Sequence, residues 1–130
     1  MVTARNNFKH TEITEKILTA YYKVYNSLGY GFLEKVYENA LFFELISSGF
    51  VVERQKEIDV FYEEKLVGKY FADLVINKTV IVELKAAESI CFEHEIQLIN
   101  YLKATSYEVG LLLNFGRKPQ VKRKVFSNSK

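Results

Sequence analysis

Residues 70–85 read Y-F-A-D-L-V-I-N-K-T-V-I-V-E-L-K, an apolar, β-branched run broken once, at Asn77-Lys78-Thr79. That pattern predicts two buried strands joined by a tight turn. Three charges lie inside it: Asp73, Glu83 and Lys85. A charge buried among apolar side chains is costly unless it is paired or ligates a metal, so three in one hairpin need a reason. Side chains alternate along a strand, which puts Glu83 and Lys85 on one face. The position of Asp73 depends on the loop. A two-residue turn at Asn77-Lys78 sets Asp73 opposite Val82 and points the carboxylates apart. A three-residue loop over 77–79 sets Ile76 opposite Val80 and Asp73 opposite Glu83, and a one-residue bulge gives the same parity. We favour the second register, because it gathers all three charges. Two neighbouring carboxylates form a hard oxygen site for Mg²⁺ or Mn²⁺. A lysine beside them offsets their charge and can orient or help deprotonate a water, which is the equipment of metal-assisted phosphodiester hydrolysis. A buried ion pair between Lys85 and either carboxylate is the alternative reading of the same residues.

The chain of 130 residues is expected to be one domain with room for a proper core. Its single cysteine, Cys91, excludes an intramolecular disulfide and zinc-finger spacing and suits a reducing compartment. There is no apolar signal core at the N-terminus and no run long enough to span a membrane, so a cytoplasmic protein is expected. The net charge is +2, unevenly placed: from Arg117 onward there are six basic residues and no acidic one, which leaves −4 for the rest. We therefore divide the chain into a loose segment (1–10), a folded domain (11–116) and a basic C-terminal tail (117–130). A basic tail on an acidic body points to an anionic partner, with Lys122, Arg123 and Lys124 as nucleic-acid-binding candidates; a solvated terminus is the alternative.

Around the central hairpin the elements follow from periodicity. Thr11 can cap a helix to about Leu28, with Ile13, Ile17, Tyr21, Val24, Tyr25 and Leu28 on one face and Gly29 ending it. A second helix begins after Gly31 and stops at Gly49, with a stripe of Leu33, Tyr37, Ala40, Leu41 and Leu45. Glu34 and Glu38 project from the same side of it. Glu34, at the edge of the stripe, is the preferred candidate to point into a site; solvation of both is the alternative. Residues 50–62 read as a strand, Glu63-Glu64 as a turn, and Lys65 starts the strand that carries Asp73. After Lys85 a short connection leads to a third helix, from about Phe92 to Thr105, on which Gln97 and Tyr101 share a face. The apolar run 107–115 reads as a strand buried on both faces, reached by a parallel crossover. The order ααβββαβ gives an α/β sandwich, three-layer-like, around a mixed four-stranded sheet.

This order, with A-D at Ala72-Asp73 and E-L-K at Glu83-Leu84-Lys85, resembles the PD-(D/E)XK nuclease superfamily and its restriction-endonuclease-like core. Two further motifs narrow the resemblance. Gly31 to Tyr37 (G-F-L-E-K-V-Y) matches the G-x-x-E-x-x-Y motif of the GxxExxY family within that superfamily. Gln97 to Tyr101 (Q-L-I-N-Y) is similar to the Q-x-x-x-Y motif of RecB-like members. The likeness covers residues from about Thr11 to Phe115. It implies that Asp73 and Glu83 ligate catalytic Mg²⁺ (or Mn²⁺), with the backbone carbonyl of Leu84 completing that shell. It implies that Lys85 orients the attacking water and stabilises the charged transition state, and that Glu34 is an extra ligand or a hydrogen-bond partner of water on the metal. Gln97 and Tyr101 would line the cleft. The signature's proline is replaced by Ala72, a small residue of the kind this position accepts.

The implied activity is Mg²⁺-dependent hydrolysis of phosphodiester bonds in nucleic acid, DNA in the first place, with no membrane role; the resemblance also allows a homodimer or larger assembly. The competing function is a catalytically idle nuclease-like fold that binds nucleic acid or protein. No other chemistry competes. Cys91 has only His94 nearby and no oriented third group, and neither a P-loop nor a dinucleotide fingerprint is present.

Overall fold

The structure, a computed structural model, describes residues 10–127, so residues 1–9 of the expected loose segment (1–10) and residues 128–130 of the expected tail lie outside the described residues. The described chain forms helices α1 (Thr11–Leu28) and α2 (Glu34–Ser47), strands β1 (Val52–Tyr62), β2 (Lys65–Ile76) and β3 (Val80–Lys85), helix α3 (Phe92–Lys103), and strands β4 (Val109–Phe115) and β5 (Pro119–Val125). Five strands lie side by side in sequence order. Every neighbouring pair is antiparallel except β3 and β4, which run parallel. The parallel step follows from α3, which carries the chain back across the sheet.

The sheet is one strand larger than its sequence indicates. The segment expected to be a basic tail turns at 116–118 and pairs along its length with β4, from Val109↔Val125 to Phe115↔Pro119. The physical reason is alternation: Val121 and Val125 pack against the core while Lys122 points away from it and stays exposed. Three cations in seven residues hide a half-buried edge strand.

Two apolar clusters sit on opposite faces of the sheet. Ile17, Tyr21 and Val24 of α1 and Tyr37, Leu41 and Leu45 of α2 pack on Leu74, Ile76, Val80, Val82, Leu84 and alternate residues of β4. Leu98 and Leu102 of α3 pack on Ala72, Val75, Ile81 and Leu112. The period-two reading of 80–85 therefore holds, with Val80, Val82 and Leu84 facing α1 and α2 and Ile81 facing α3. Two expectations about helix starts fail. His10, in the left-handed region, precedes α1 in place of a Thr11 cap. Leu33 precedes α2 and is 80% exposed, so the core stripe starts at Tyr37. Glu63 and Glu64 make the expected turn, both with positive φ.

Candidate active site

The three-residue loop places Ile76 opposite Val80, Val75 opposite Ile81 and Leu74 opposite Val82. The next position in line is Asp73 against Glu83, and there the ladder stops. On its other side β2 pairs with β1 at Arg54↔Leu74 and Lys56↔Ala72, with Gln55, at φ 48, omitted from the pairing. Ala72 and Val75 pack into the same core although they are three residues apart, so the alternation of β2 is broken at Asp73. An irregular residue in one strand bends it and re-aims its neighbours. Here it opens the sheet between β2 and β3.

Side chains fill the gap left by the ladder. The Asp73 N–H donates to Glu83 Oε2 at 3.1 Å, and the Leu84 N–H donates to Asp73 Oδ2 at 2.8 Å. Each carboxylate thus satisfies backbone of the opposing segment, which fixes the two acids side by side. Their charges are expensive there. Burial, and then the Asp73 charge, push Glu83 up to about 8. Burial also raises Asp73, against the hydrogen bonds from Leu84 and Gln55. The Lys85 ammonium acts on both in the opposite sense, favouring their ionised forms. The gathering of Asp73, Glu83 and Lys85 expected from the sequence is what the fold produces.

The remaining candidates are placed less evenly. Glu34 is the first residue of α2 and is exposed, and its charge reaches Glu83. Gln97, exposed on α3, hydrogen-bonds the Tyr101 phenol. The Tyr101 ring stacks on Tyr70 with centroids 3.4 Å apart, and burial and the Glu83 charge hold its hydroxyl above the ordinary tyrosine range. Lys122 is in register with Leu112, itself in register with Glu83, two strand spacings or roughly 10 Å away. Lys124 is held by Glu95 at 2.7 Å, and Arg123 is half-buried.

Glu38 is a residue that sequence reasoning underrated. It is 4% exposed, with Lys35 and Arg54 at 3.1 and 3.0 Å. Gln55 Nε2 donates to Glu38 Oε1 at 2.7 Å and to Asp73 Oδ1 at 3.2 Å, linking α2 to β2. Burial opposes ionisation of Glu38, but Gln55, Lys35 and Arg54 outweigh it and hold its carboxyl below the ordinary range. The available signal was its place next to Tyr37 and three before Leu41, against the buried stripe. Its partners on β1 are too distant in sequence to be read.

A sequence profile of the PD-(D/E)XK nuclease superfamily matches residues 11–124. The chain belongs to the PD-(D/E)XK nuclease superfamily. The match runs into β5, in keeping with that strand's place in the sheet, and the α/β architecture is consistent with a restriction-endonuclease-like core. No curated protein and no solved structure matched the chain. Among the described residues no helix is long and apolar enough to cross a membrane.

The superfamily is typically metal-dependent, and the donor set of this member suits a hard divalent cation. Asp73 and Glu83 offer carboxylate oxygens in a place where burial and mutual repulsion penalise two bare charges, and a cation relieves both penalties. Among the described residues no three Asp, Glu, His or Cys side chains converge closely enough to hold an ion by themselves. Two carboxylates with backbone and solvent oxygens are the usual set for Mg²⁺, which keeps several waters.

Proposed function

We propose that this protein is a Mg²⁺-dependent nuclease that hydrolyses DNA phosphodiester bonds, and that within its superfamily it is of the GxxExxY type, whose motif lies at Gly31 to Tyr37. The observation that carries the reading is the Asp73–Glu83 pair where the ladder stops, Glu83 held by the Asp73 N–H and Asp73 by the Leu84 N–H, with Lys85 acting on both. A merely structural pair of acids would not be expected to sit at a break in the ladder with Glu83 raised to about 8.

Asp73, Glu83 and the carbonyl of Leu84 would hold the ion, with Glu34 reaching it through water from the start of α2. When bound, the cation polarises the phosphoryl oxygens and lowers the pKa of an attacking water. Lys85, the last residue of β3, whose charge reaches both carboxylates, orients the water and compensates negative charge that grows on the phosphoryl group. The water oxygen gives up a proton to solvent and bonds to phosphorus as the opposite P–O bond breaks, and the leaving oxygen departs in line and takes up a proton from solvent. Tyr101, braced by Tyr70 and Gln97, forms one wall and keeps bulk water from the acids. The grip on the backbone falls to Lys122, the exposed cation of the β5 trio; Glu95 feels its charge but is bonded to Lys124 at 2.7 Å.

The test is incubation with labelled single-stranded, duplex and flapped DNA in Mg²⁺, Mn²⁺ or EDTA, beside an Asp73→Ala/Glu83→Ala variant. Metal-dependent cutting that the variant lacks is expected. Binding of DNA with no cutting of any substrate would move the assignment to an idle nuclease-like fold that serves as a binding module.

A further inference from the structure

We infer that the cleft next to the catalytic carboxylates is a stacking site for an unpaired nucleobase, so that the nucleic acid it takes carries a single-stranded segment. The inference rests on the nuclease reading for its ligand class, but not for its geometry. A cleft of about 400 Å³ is lined by the α1–α2 loop (residues 30–33), the chain after β3 (residues 86–88) and the β4–β5 turn (residues 115–117). Its walls run directly into the site: Leu33 precedes Glu34, and Ala86 follows Lys85.

Two aromatic rings stand in this cleft's rim with much of their surface in solvent, Tyr30 at 58% and Phe32 at 47% exposed. They do not belong to a loose loop. The Tyr37 hydroxyl donates to the Gly29 carbonyl at 2.6 Å and accepts from the Phe32 N–H at 3.2 Å, while its ring stacks on Phe115. The opposite wall is pinned too, with the Tyr25 hydroxyl 2.7 Å from the carbonyls of both Gly116 and Arg117. Rigid loops that hold aromatic rings out of the core make a surface with little ordering cost on binding.

The chemistry of the rim favours a nucleotide. The Arg117 guanidinium lies 6.0 Å from the centre of the Tyr30 ring, and Lys118 follows it on the same turn. Glu88, 3.9 Å from Arg117, is the acid opposite them, but both partners are strongly exposed and such a pair yields readily to a phosphate. Rings beside cations are the pattern that binds single strands, with stacking on any base and cations on the backbone. In a duplex both faces of each base are covered, so only an unpaired base can enter.

Fluorescence anisotropy in EDTA, where nothing is cut, tests this with a labelled single-stranded oligonucleotide (DNA and RNA) and a blunt duplex. Tyr30→Ala/Phe32→Ala is expected to weaken single-strand binding about ten- to a hundredfold and to leave duplex binding within about twofold, with the far-UV circular dichroism of the folded parent. Tyr30→Phe, which keeps the ring, should bind like the parent. Loss on either sugar supports the inference. Equal loss on strand and duplex, or no loss on either, overturns it. The outcome is separable from that of the nuclease reading. Cutting that depends on Asp73, together with unaltered binding by the double variant, removes the stacking site and leaves the nuclease. Ring-dependent single-strand binding without any cutting does the reverse.

Discussion

Glu38 and Asp73 share one amide group: Gln55 Nε2 lies 2.7 Å from the first and 3.2 Å from the second. The bridge exists because Gln55 adopts a left-handed conformation that drops it from the β1–β2 ladder. It makes Gln55 a positioning residue for Asp73. Gln55→Ala should fold, since the side chain is exposed, and should cut activity about tenfold. Loss of a donor to the ionised form raises the Asp73 pKa further, so the acidic limb of the pH–rate profile should move to higher pH. A fall in rate with an unmoved profile would mean that Gln55 acts elsewhere.

Glu38 itself should matter for stability. Glu38→Ala leaves Arg54, whose side chain is 31% exposed, without its carboxylate and removes the acceptor of Gln55. Breaking such a pair from one side costs about 2–4 kcal/mol. Denaturant unfolding should show it, and a cost within about 0.5 kcal/mol would place the network on the surface in energetic terms.

Glu83 sets a distinctive pH dependence. Burial, and then the Asp73 charge, push its carboxyl up to about 8 in the folded chain, from the ordinary 4.5. Between these values the folded state holds a proton that the unfolded state has lost, so stability falls as pH rises from about 4.5 to 8 and levels off above. Asp73, also raised, adds a decline of the same sign that begins at its own lower reference value. In EDTA the melting temperature of the parent should therefore drop across that window, and Glu83→Gln should flatten the drop. Because a cation competes with the proton, Mg²⁺ should raise the melting temperature more at pH 8 than at pH 6. An equal Mg²⁺ shift at both would argue against binding at this pair.

Lys85→Ala should keep the fold and Mn²⁺ binding, read by calorimetry, yet lose cleavage by about a hundredfold or more. Undiminished cutting would remove Lys85 from the chemistry.

The basic segment gives a sharper contrast now that it is a strand. Truncation after Gly116 removes β5 and its ladder with β4, and should yield an unfolded chain rather than a weaker binder. The charge itself is tested by Lys122→Gln, which should lower the slope of log affinity for duplex DNA against log salt by about 0.9. Lys124→Gln should move it less, because Glu95 already neutralises that ammonium. Equal effects would show that the Glu95 pair opens on DNA.

Alternation and spacing by themselves determined the hairpin from Lys65 to Lys85, the number of helices and the parallel return of β4, while the three-residue loop was preferred to a two-residue turn because it gathers Asp73, Glu83 and Lys85. These are local matters: burial selects one face of each strand, and one register satisfies all three charges. The sequence did not determine that 119–125 is a strand, because cations dominate its composition and its two inward valines are decided only by β4 beside it. Nor did it determine the exposure of Leu33, or which of Glu34 and Glu38 is buried, since Glu34 and Glu38 share a face of α2 and differ in that Leu33 and Glu34 stand at its exposed start while Glu38 lies one turn in, beside Tyr37. Glu38 is buried because Arg54, Gln55 and Lys35 neutralise and hydrogen-bond it, and two of those partners come from β1. Only tertiary structure brings such groups together, and a buried carboxylate stays ionised only where it does so.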